Sequence, residues 1–72
     1  MVTNTDRAAW ADAALDAFRV LTGQTAPGET EEALGDLLCD LLHLAQAEGL
    51  EPLTLLERAT WHYEYEILHP DA

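Results

Sequence analysis

Residues 30–68, TEEALGDLLCDLLHLAQAEGLEPLTLLERATWHYEYEIL, decide the fold. At the helical step of about 100° per residue, Leu34, Leu37, Leu38, Leu41, Leu42, Leu44 and Ala45 cover an arc of roughly 160°. Glu32, Asp36, Asp40 and His43 line the other side, so the segment reads as an amphipathic helix over about 30–48. Its start is marked by Thr30, with Glu31 and Glu32 in the first turn, where the positive end of the helix dipole favours them. Gly49 marks the stop, because a residue without Cβ enters the left-handed region at low cost, and Leu50 follows where an apolar contact often locks such a cap. Pro52 suits a first helical position, since its missing N–H has no partner there anyway. A third helix is therefore expected over 52–68, ending before Pro70, and the short connection predicts an antiparallel hairpin with helix two.

Outward from this hairpin, helix one is expected over about 6–22. Thr3 or Thr5 can cap its start, and Gly23 ends it. The wheel puts Trp10, Ala14, Ala17, Phe18 and Leu21 on its core face, with Asp12, Asp16 and Arg19 opposite. GQTAPG at 23–28 reads as a loop. In helix three, Leu56, Ala59, Thr60, Tyr63 and Ile67 form the expected core stripe. Trp61, Tyr65 and Leu68 fall about 150° away as a second apolar strip that something should cover.

Composition agrees with an all-α chain forming one domain over residues 1–72. Ala and Leu supply 25 residues, against five Tyr, Phe and Trp. Fourteen acidic side chains against three basic ones leave a formal charge of −11. This charge excludes a direct grip on nucleic acid, which needs a basic stripe, and disfavours an anionic membrane surface. Asp40 and His43 interrupt the longest apolar run, far short of a membrane span, and Met1–Asp6 lacks the order of a signal peptide. Cys39 has no intrachain partner, which fits a reducing, cytoplasmic setting.

Four groups of residues bear chemistry. Asp36, Asp40 and His43, at i, i+4 and i+7 beside Glu32, can present oxygens to a hard cation, but match a solvated polar face better. His62, Glu66 and His69 have a spacing that zinc can use, but His69 sits at a helix end, so ordinary surface side chains are expected. Cys39, at the edge of the leucine arc without a base, reads as a buried structural thiol. Trp61, Tyr65 and Leu68 are the candidate partner-binding residues, because Trp and Tyr anchor interfaces disproportionately, although they could also fill the core or a dimer seam. No catalytic residue, metal site or cofactor is assigned, in the absence of a phosphate loop, a Ser/His/Asp set or paired Cys.

The stretch Glu31–Glu66 resembles the later helices of the MazG-type all-α nucleoside triphosphate pyrophosphohydrolases, in which a run of the form EELGDLL opens a metal-bearing helix. The resemblance implies an all-α fold and places Asp36 on that family's metal-binding aspartate. Ala33 stands where its E-x-x-D motif has glutamate, and Asp12 and Asp16 do not reproduce the E-E-x-x-E motif of the preceding helix. One aspartate is too little for Mg²⁺ on a triphosphate, so kinship would imply lost catalysis. The pattern D-L-L-x-D-L-L-H-L-A, G-L-x-P, H-Y-x-x-E is also similar to short bacterial and phage helical proteins without an assigned activity.

A core of this size supplies only about 3–5 kcal/mol, and self-repulsion of the acidic side chains lowers the margin. The expected protein is accordingly a homodimeric helical bundle, non-catalytic and acidic, acting through self-association and binding of another protein. Two alternatives remain from sequence alone: a DNA mimic that occupies the basic groove of a nucleic-acid-binding protein, and a degenerate MazG-like pyrophosphohydrolase.

Overall fold

Local chemistry sets each helix boundary in the computed structural model, which describes residues 1–70. The first helix, α1, spans Asn4–Thr22, two residues earlier than expected, because Thr3 is the cap. Thr3 Oγ1 accepts from the Asp6 N–H at 3.1 Å while Asp6 Oδ2 accepts from the Thr3 N–H at 2.9 Å. This reciprocal pair satisfies two N–H groups at the helix start. The second helix, α2, spans Thr30–Ala47, and Gly49 at φ 76° closes it. The Leu50 N–H donates to Ala45 O at 2.9 Å and the Gly49 N–H to Gln46 O at 3.0 Å, which is the expected left-handed cap. The third helix, α3, spans Pro52–Leu68, with Pro52 in its first turn. No strand occurs among the described residues.

The α2–α3 hairpin forms as expected, and α2 is central, packing against both α1 and α3. Polar side chains hold α1 against the hairpin. Arg7 Nε lies 2.8 Å from Glu66 Oε2 near the end of α3, and Asn4 Nδ2 donates to the Glu66 carbonyl at 3.0 Å. At the other end of α1, Arg19 donates to the Gln24 and Ala26 carbonyls and folds the loop back. Gln24 Nε2 in turn donates to Asp36 Oδ2 on α2 at 2.7 Å.

Packing departs from the expected faces in two helices. In α1 the residues turned inward are Leu15, buried at 4%, and the half-buried Asn4, Arg7, Phe18 and Arg19. Of the expected core face, Phe18 is half-buried, whereas Trp10 and Leu21 are 61% and 85% exposed. The helix is thus rotated by roughly 90° from its apolar face, an orientation in which Arg7 and Asn4 reach Glu66. In α3 the half-buried residues are Pro52, Leu55 and Glu66, while Tyr63 and Ile67 from the expected stripe are mostly exposed.

Among the described residues only Leu15, Ala33 and Ala45 are buried. The chain measures 36 × 31 × 17 Å. Its radius of gyration, 13.7 Å, exceeds the ~11 Å of a compact chain of this length. The accessible surface is 5728 Å², against about 4,400 Å² for a folded monomer of 7.9 kDa. A stable domain normally packs its elements around a core, whereas the three helices here enclose very little of one.

Candidate interaction surface

Two apolar surfaces lie on opposite sides of α3, besides the exposed Trp10 and Leu21 face of α1. The first is the expected strip: Trp61, Tyr65 and Leu68 lie on successive turns and are 65%, 49% and 75% exposed. Trp61 lies in a shallow concavity with Glu57 and Glu64, so its indole has carboxylates about one turn away on either side. Its ring meets His62 edge-on at 5.5 Å between centroids, and Tyr65 stacks at a tilt on His69 at 4.3 Å. No neighbouring helix covers the strip. Arg58 lines the same concavity, so the arrangement can offer a partner an aromatic anchor bordered by charges of both signs.

The second surface is a groove of about 370 Å³ along the α2–α3 hairpin. Leu38, Leu41 and Leu44 from α2 face Leu50, Leu55 and Leu56 from the turn and α3, with Ala45 at the floor. Glu48, at the turn, is its one charged lining residue. The leucine arc of α2 was legible in the sequence, but the contribution of Leu50 and Leu55 was not. Neither belongs to the periodic stripe of α3, and only the turn geometry brings Leu50 alongside the α2 leucines.

The other candidate groups are dispersed. Asp36 accepts the Gln24 amide, and Glu66 takes Arg7, which separates each from the clusters suggested by spacing. Among the described residues no three His, Cys, Asp or Glu side chains converge on one point. Cys39, expected to be buried, is exposed. It stands beyond the edge of the leucine arc, where neither α1 nor α3 reaches. No helix among the described residues is long and apolar enough to cross a membrane.

In comparisons with protein-family models, with curated proteins and with solved structures, nothing matches this chain.

Proposed function

We propose that this chain is a non-catalytic, acidic helical protein that acts by binding other protein surfaces, both a second copy of itself and a heterologous partner. The observation that carries partner binding is the Trp61, Tyr65 and Leu68 strip, which no helix of the chain covers, and the exposed Leu38, Leu41 and Leu44 of α2 support self-association. A Trp and a Tyr held in water on a rigid helix cost solvation that an interface recovers, and a buried Trp at an interface centre is worth about 2 kcal/mol or more. Glu57 and Glu64 beside Trp61, with the overall charge of −11, favour a partner whose contact surface pairs apolar side chains with Lys or Arg, and Arg58 in the same concavity can take one carboxylate of that partner. The dispersal of the His, Cys, Asp and Glu side chains, no three of which converge among the described residues, fits a non-catalytic role. An exposed, unpaired thiol at Cys39 supports a cytoplasmic setting, where thiols stay reduced.

The test is capture of partners from the native cell by immobilised wild-type protein and by Trp61→Ala, at about 0.1 M and about 0.5 M salt. Capture through the strip persists at the higher salt and is lost in Trp61→Ala. Capture that vanishes with salt yet tolerates Trp61→Ala would instead mark an electrostatic mimic, whose carboxylates act through a screened field.

A further inference from the structure

We infer that the leucine groove of the α2–α3 hairpin is covered by a second copy of this chain. The two hairpins pack isologously and antiparallel into a four-helix bundle, and the Trp61 strip stays on the outside. The inference rests on the self-association part of the reading above and assigns its face and geometry.

Three observations choose the occupant. The first is area. The chain exposes about 1,300 Å² more than a compact monomer of its mass, spread over the groove, the Trp61 strip and the Trp10 and Leu21 face of α1. A standard stable interface takes about 800 Å² from each partner, which this excess can supply while the strip stays exposed.

The second is cover. Among the described residues only Leu15, Ala33 and Ala45 are buried, so the chain's own helices enclose little of a core. A two-fold partner placed on the groove supplies the missing cover with the same leucines, as a self-complementary face requires. The wide arc of α2 is then used in full. Ala33 and Ala45 already meet the chain's own helices, and Leu38, Leu41 and Leu44 meet the copy.

The third is charge. Two chains of −11 can associate only through a face that keeps their carboxylates apart. The groove has only Glu48 on its lining, at the turn end of the hairpin, so antiparallel pairing sends the two copies of Glu48 to opposite ends. Glu32, Asp36 and Asp40 project from the other side of α2. A basic partner would find little to pair with here, in contrast to the Trp61 concavity with Glu57 and Glu64. The two surfaces lie on opposite sides of α3, so one interface cannot bury both.

The experiment compares wild type, Leu41→Glu and Trp61→Ala by sedimentation equilibrium at micromolar concentration. Wild type and Trp61→Ala are expected to be dimers. Leu41→Glu, which puts a carboxylate at the groove twice per dimer, is expected to weaken association by at least about 100-fold. A dimer that tolerates Leu41→Glu within about threefold, a dimer lost in Trp61→Ala, or a trimer or larger species overturns the inference while leaving self-association intact. A wild-type chain that stays monomeric overturns both. If Leu41→Glu unfolds by circular dichroism, thiol protection decides. In a Cys39→Ser background at high protein concentration, Leu41→Cys is expected to react with a maleimide at least about tenfold more slowly than Trp61→Cys, and to lose that protection on dilution. Equal rates overturn the inference.

Discussion

The same substitution at two glycines of α2 and its cap is expected to have opposite effects. Gly49 sits at φ 76° and lets the chain turn from α2 into α3, with both orphan carbonyls of the last turn satisfied by Gly49 and Leu50 N–H groups. A Cβ built there meets nothing within 4 Å, so Gly49→Ala carries no steric clash. Its cost is the left-handed backbone itself, about 1–2 kcal/mol for an L-residue, reduced by the smaller entropy that alanine has in the unfolded chain. The net expectation is a loss of about 1 kcal/mol, or a fall of roughly 4–8 °C in Tm for a domain of this size. Gly35 lies within α2 at ordinary helical φ, and a Cβ there also meets open space. Gly35→Ala is therefore expected to gain about 0.4–1 kcal/mol and to raise Tm by a few degrees. Thermal melts by circular dichroism at one fixed chain concentration check the pair, since the melting point of an associating protein depends on concentration. A Gly49→Ala protein as stable as wild type, or two alanine variants that shift in the same direction, would refute this account of the hairpin turn.

Other expected outcomes follow from the ends of α1 and from the surface. Thr3→Ala removes the side-chain acceptor for the Asp6 N–H and should lower stability by about 1 kcal/mol, read as a drop in Tm; an unchanged melt means the cap does not hold α1. Glu66→Gln breaks the Arg7 ion pair, which is partly shielded from solvent, and should cost about 0.5–1 kcal/mol in low salt and less at about 1 M salt; equal losses at both salt concentrations would count against an electrostatic tie. Trp61→Ala should leave stability within about 0.5 kcal/mol, because the indole is mostly in water, and a large destabilisation would mean that the strip is core. Raising salt from about 0.02 M to about 0.2 M should raise the Tm of wild type by screening its excess negative charge; a fall would show that favourable ion pairs outweigh self-repulsion.

The sequence by itself determined what is local. Thr3, Gly23, Gly49 and Pro52 each act on backbone groups within a few residues, so three helices and their hairpin turn were legible, with boundaries off by one or two residues. The Trp61, Tyr65 and Leu68 strip was legible for the same reason, since side-chain direction on a helix is periodic. Periodicity names an apolar face but not the neighbour it meets. Trp10 and Leu21 share such a face, yet α1 is turned so that Leu15 points inward and Arg7 and Asn4 meet Glu66, far away in the sequence. The leucine groove likewise exists only once the turn at Gly49 lays Leu50 and Leu55 beside Leu41. Tertiary structure alone also decided that Cys39 is exposed and that the three helices bury so few side chains. Hydrophobic burial depends on which surfaces meet, and an arrangement with so small a core leaves faces of an amphipathic chain in water until another surface covers them.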